Sequence, residues 1–174
     1  MPDPRYPIGK LQAIEHPDDS MRKEFIQRIA DTPAALAAAV KGLSEQQLDT
    51  PYRDGGWTVR QVVHHMPDSH MNSYIRLRLA LTENEPTIKP YEEDLWAELV
   101  DARTAPITVS LTMLEALHQR WVMLLRSLKP ADFSRTFRHP ENGVRTIDWL
   151  LQLYAWHGRH HVAHITSLRE RMKW

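Results

Sequence analysis

The chain contains no cysteine, which removes thiolate metal ligands, a cysteine nucleophile and disulfide bonds from consideration. It also has no excess charge. Lys and Arg together number 22, as do Asp and Glu, so neither nucleic acid nor an anionic membrane is expected as a main partner. Long hydrophobic runs are missing too. The longest strongly apolar run, near Ala34–Val40, falls far short of the roughly 20 residues that span a bilayer. The opening Met1-Pro2-Asp3-Pro4 lacks the basic and apolar segments of a secretory signal. No His-Glu-x-x-His motif occurs, which argues against a zincin-type peptidase, and there is no internal repeat. A soluble, cytoplasmic protein is the expectation.

Four long amphipathic segments are present instead. Residues 1–18 hold Pro2, Pro4, Pro7 and Pro17 and no sustained periodicity, so they read as an arm on the surface of a single domain spanning 19–174. Asp18, Asp19 and Ser20 offer N-caps for a first helix through Phe25, Ile29, Leu36 and Val40, with Pro33 either kinking or dividing it. Thr58 and Gln61 have capping-box spacing and open a second helix to about Leu81, with Pro67 inside it. A short acidic helix is expected around Tyr91–Val100. Pro106 precedes a third long helix that ends before Lys129-Pro130. Asn142-Gly143 marks the turn of an irregular hairpin over 133–146, and the last helix follows from Ile147 to Met172. The pattern predicts an all-α four-helix bundle with a short hairpin before the last helix.

Histidines gather late in that last helix: His157, His160, His161 and His164. Residues four apart share a helical face. The inward stripe runs through Ile147, Leu150, Leu151, Tyr154, Gly158, Ile165 and Leu168. It places His161 near its middle and His157 on its shoulder, with His160 and His164 toward the flank. Two inward imidazoles at this spacing can share a metal ion, although an inward histidine can also be a hydrogen-bonded core residue. A third ligand is sought on the second helix, which carries His64, His65 and His70. Helical phase alone leaves His64 and His65 open. His16, His118 and His139 have no evident partner, and Trp57, Trp96, Trp121, Trp149 and Trp156 are expected to pack.

The segment Gly55-Gly56-Trp57-Thr58-Val59-Arg60-Gln61-Val62-Val63-His64-His65, continued by Asp68-Ser69-His70-Met71-Asn72-Ser73-Tyr74, resembles the first metal motif of the DinB/YfiT-like superfamily. His139-Pro140 through Gly143, together with the stretch from His157 to His164, is similar to its second half. The likeness is closest to the YfiT-like metal-dependent hydrolases and extends from about residue 20 onward. It implies a four-helix bundle with a three-histidine divalent-metal site, and a homodimer. In the family's motif the histidine eight positions after the tryptophan is a ligand, which corresponds here to His65. The two ligands four apart on the last helix correspond to His157 and His161. Pro67 departs from the small or apolar residue usual at its position.

One divalent ion per chain, zinc or nickel first although nitrogen ligands also suit iron or manganese, and a small-molecule substrate are therefore expected. Hydrolysis by activated water leads. Transfer of a low-molecular-weight thiol by a metal-dependent S-transferase is the alternative, and a non-catalytic metal-binding bundle is a third reading. No catalytic or substrate-binding residue is assigned.

Overall fold

The computed structural model describes residues 3–174; Met1 and Pro2 of the arm lie outside the described residues. Four long helices form the bundle: α1 (Asp19–Val40), α3 (Val59–Thr82), α6 (Ile107–Ser127) and α7 (Ile147–Met172). Between them lie the short helices α2 (Glu45–Leu48), α4 (Glu93–Ala97) and α5 (Val100–Thr104). A 3₁₀ turn at Pro130–Ser134 leads into the antiparallel hairpin of β1 (Thr136–His139) and β2 (Gly143–Thr146). No helix among the described residues is long and apolar enough to cross a membrane.

Local chemistry sets the helix ends. Asp18 caps α1 by accepting the Met21 N–H at 2.8 Å. Thr58 and Gln61 form a reciprocal capping box at the start of α3, and Thr146 accepts the Trp149 N–H to start α7. Such caps satisfy amide groups that have no partner within the helix, each contributing about 1 kcal/mol. Pro33 and Pro67 are tolerated inside continuous helices, so Pro33 does not divide α1. The hairpin is more regular than its sequence suggests, pairing Thr136 with Thr146 through to His139 with Gly143. Gly143 supplies the positive φ of 73° that closes its turn.

The core is split by level. Phe25, Ile29, Leu77, Trp121, Leu125, Phe137, Ile147 and Leu151 pack at one end. Leu36, Val40, Val59, Val63, Met66, Leu114, Ile165 and Leu168 pack at the other. Each of the four helices turns polar between the two: Thr32 on α1, Ser69, His70 and Ser73 on α3, His118 on α6, His161 on α7, all buried. The bundle thus holds a polar layer between two apolar cores. Burying such groups is unfavourable unless they find partners, and most of the layer does, while Ser73 Oγ and His161 Nδ1 are buried without one.

Gly158 brings α1 and α7 together at that layer. A Cβ added there would stand 2.5 Å from Thr32 Oγ1 and 2.7 Å from Thr32 Cγ2. Both branches of a β-branched side chain block it, so rotation offers no relief. Overpacking costs roughly 1–3 kcal/mol, against about 1 kcal/mol gained by replacing a helical glycine with alanine. Gly158→Ala is therefore expected to destabilise by about 1 kcal/mol in a denaturant melt, and adding Thr32→Ala should recover much of the loss. A stabilised single variant would contradict this packing.

Candidate metal centre

The polar layer places His65, on α3, opposite His157 and His161, on α7. His157 Nε2 lies 3.3 Å from His65 Nε2 and 3.2 Å from His161 Nε2. The three candidate ligand atoms all lie within 4.8 Å of one another, and among the described residues no fourth His, Asp or Glu joins them. Metal–nitrogen bonds of 2.0–2.1 Å in a tetrahedral site put neighbouring nitrogens about 3.3–3.4 Å apart. Two of the three edges already have that length. The donor set and its spacing fit a divalent cation with one coordination position left open.

Burial keeps these rings neutral. It pushes His65 down to about 3, with His160 and His164 adding to the effect. His157 and His161 fall well below the ordinary imidazole range, first through burial and then through the imidazoles beside them. A neutral imidazole offers the lone pair that a cation requires. Trp57, expected only to pack, does so against the cluster itself. Its ring lies 4.7 Å from that of His65 and is stacked 6.4 Å from that of His161.

The other histidines are engaged elsewhere. His64 directs one ring nitrogen to Ser110 Oγ at 2.7 Å and the other to the Ala105 carbonyl at 3.0 Å, so both its nitrogens are taken up at the entry to α6. His160 and His164 are not on an open flank; both are buried. Trp156 stacks on His160 at 4.2 Å, and Tyr52 stacks on His164 at 4.0 Å. The N-terminal arm covers the same flank. The Arg5 carbonyl meets His164 Nε2, the Gly9 carbonyl accepts from Trp156, and Ile14 is bound at both its N–H and C=O by Gln152. Helical phase could not reveal this cover because the arm carries no periodic signal.

Sequence reasoning left His118 without a partner, yet it is central. Its Nε2 lies 2.7 Å from His70 Nδ1, and its Nδ1 lies 2.8 Å from the Ile29 carbonyl. His70 Nε2 in turn meets His157 Nδ1 at 3.0 Å. Its position with Leu114, Trp121 and Leu125 on one face of α6 was the available signal. His139 faces its own turn, where Nδ1 accepts the Glu141 N–H at 3.2 Å. His16 is exposed beside Glu15.

Hydroxyl groups line the remaining side. Ser69 Oγ lies 3.5 Å from His157 Nε2 and 3.1 Å from the Tyr154 hydroxyl, which also reaches the Ser69 carbonyl at 3.1 Å. The Tyr91 hydroxyl is buried without a hydrogen-bond partner, and burial raises its pKa. The ring of Tyr91, with Asn72, Lys89, Pro90, Leu95 and Trp96, lines a surface cavity of about 540 Å³. On the same stretch of α3, burial first and then Asp101 raise the Asp68 carboxyl to about 6.

Residues 28–165 match the family model of the DinB superfamily. A Bacillus mycoides protein named "Putative metal-dependent hydrolase" is 59% identical over 174 residues, covering 100% of both chains. The structure of YfiT from Bacillus subtilis, described as a probable metal-dependent hydrolase with an unusual four-helix bundle topology, superposes with a TM-score of 0.96. It is 50% identical, with 98% of each chain covered. A second four-helix bundle protein, TT2238, superposes with a TM-score of 0.55 at 21% identity, over 81% of this chain and 94% of that one, a likeness of fold alone.

Proposed function

The chain belongs to the DinB superfamily, and we propose that it is a metal-dependent hydrolase in which His65, His157 and His161 hold one divalent cation. The observation that carries this reading is the spacing of 3.2 and 3.3 Å around His157 Nε2 in a three-ligand set. A structural site would close with four protein ligands, whereas three leave a place for water or substrate. The nitrogen donors suit zinc or nickel, and iron as well. When bound, such an ion supplies Lewis acidity, polarising a carbonyl-type oxygen and making water nucleophilic near neutral pH.

The chain's own residues supply orientation and exclusion of bulk solvent. The Tyr154 hydroxyl donates to the Ser69 carbonyl, which can only accept. Its oxygen therefore accepts the Ser69 hydroxyl proton. That leaves Ser69 Oγ, 3.5 Å from His157 Nε2, with lone-pair capacity that would accept a hydrogen bond from a water at the site. A serine hydroxyl in this setting orients water and does not deprotonate it. Trp57 lays its ring against His65 and His161 and helps shield them from solvent. The cavity at Tyr91, about 540 Å³, is in the size range of small-molecule sites, which supports a small substrate.

The test compares two arms with metal-loaded protein. Simple esters and amides form one arm, and a small thiol with a halo-arene or epoxide the other. Hydrolysis that stops on chelation and returns with zinc or nickel is expected. Ser69→Ala should lower kcat about 10-fold or more, as loss of an orienting contact does, while metal content stays unchanged. Thiol-dependent product without hydrolysis would replace the reading with S-transfer.

A further inference from the structure

The three histidines His157, His70 and His118 form a line that ends on a backbone carbonyl, and the line crosses all four long helices. His157 is on α7, His70 on α3, His118 on α6, and the terminal Ile29 carbonyl is on α1. In an α-helix the carbonyl of residue 29 would accept from the N–H of residue 33. Residue 33 is proline and has no N–H. Pro33 therefore frees the Ile29 carbonyl, and His118 Nδ1 fills the vacancy at 2.8 Å.

We infer that this freed carbonyl sets the proton positions along the whole line, making His118 and His70 positioning residues that hold His157 in the one tautomer able to bind a metal through Nε2. The inference rests on the metal reading above only for its last step. A carbonyl accepts and cannot donate, so His118 carries its proton on Nδ1. A buried, neutral imidazole has one N–H, which makes His118 Nε2 an acceptor. His70 must then donate from Nδ1, across 2.7 Å, and its Nε2 becomes an acceptor. His157 consequently donates from Nδ1, across 3.0 Å, and its Nε2 presents a lone pair toward His65 and His161. No carboxylate occurs among the hydrogen-bond partners of these rings to hold a second proton.

The sequence of forced choices runs one way only. Were the line reversed, His118 would face the carbonyl with a lone pair and His157 Nε2 would carry a proton where the cation belongs. Metal-binding histidines generally have their second nitrogen fixed by a hydrogen bond. Here the fixing group is another histidine, itself fixed by a third, and a proline in a distant helix makes the anchor available.

Two measurements test it. In metal-free protein labelled with ¹⁵N-histidine, long-range ¹H–¹⁵N correlations should find His157, His70 and His118 all protonated on Nδ1. His157 protonated on Nε2 would overturn the inference. This readout needs no metal, so a wild type that shows the Nδ1 pattern but takes up no zinc would refute the metal reading alone. In zinc titrations, His70→Leu should weaken binding roughly 10–100-fold, the usual range for losing such a supporting partner. His70→Gln, whose carbonyl oxygen can accept from His157 Nδ1, should recover most of that loss. His118→Phe should shift His157 toward the Nε2-protonated form. Equal zinc affinity of the Leu and Gln variants, with both folded by circular dichroism, would overturn the positioning role.

Discussion

Freed of metal by a chelator, the protein should unfold in mildly acidic solution, with its transition between about pH 6 and 5. Burial pushes His118 down to about 4, and burial with the His164 imidazole beside it does the same to His160, while His65 falls to about 3. His164 also lies at about 4, burial outweighing the Arg5 carbonyl. In the unfolded chain each titrates near 6.5. Between those limits the unfolded state binds protons that the folded state refuses, so the stability these rings contribute is complete above about pH 6.5 and is lost as pH drops toward the folded values, opposed in part by the Asp68 carboxyl raised to about 6. At pH 5 each such group costs about 2 kcal/mol. Four of them together approach the roughly 5–15 kcal/mol that holds a domain folded. Circular dichroism against pH, with chelator present, should show a cooperative loss of helix in this window. A metal-free protein still fully helical at pH 4.5 would contradict the burial of these rings. Replacing His118 with phenylalanine removes one titrating group and should move the midpoint to lower pH if the fold tolerates it.

The same histidines explain what could and could not be read from the sequence. The bundle was legible because its signals are local and periodic. Thr58 and Gln61 announce the start of α3, Thr146 precedes α7, and the stripe from Ile147 to Leu168 is buried as its spacing implies. His157 and His161 were legible for the same reason, lying four apart on an inward face. The choice between His65 and His64 came only from the tryptophan-to-histidine spacing of the family resemblance, because α3 buries every residue from Val59 to Pro67 and no face stands out by phase. Contacts with other elements separate them: the α5–α6 junction takes up His64 while α7 faces His65. His118 and Pro33 were each visible as single anomalies, an inward histidine and a helical proline. Their connection is tertiary, joining residues far apart in the chain, and no local pattern encodes it. The cover over His160 and His164 escaped for a similar reason, since an irregular arm docks by single hydrogen bonds rather than by a repeating face.

The central claim, that His65, His157 and His161 hold one divalent ion, is tested most directly by zinc titration of the untagged wild type beside His65→Ala and His64→Ala. Structural zinc sites with four ligands bind with about 10–16 kcal/mol, or roughly 3 kcal/mol per ligand. Losing one ligand should therefore weaken affinity by at least about 100-fold. His64→Ala instead removes a ring hydrogen-bonded to Ser110 and Ala105, so it should cost stability while leaving zinc affinity nearly intact. The account predicts about one ion per chain for the wild type and for His64→Ala, and none retained at micromolar zinc by His65→Ala. A wild type that takes up no zinc, or a His64→Ala variant that loses the ion while His65→Ala keeps it, would contradict the account.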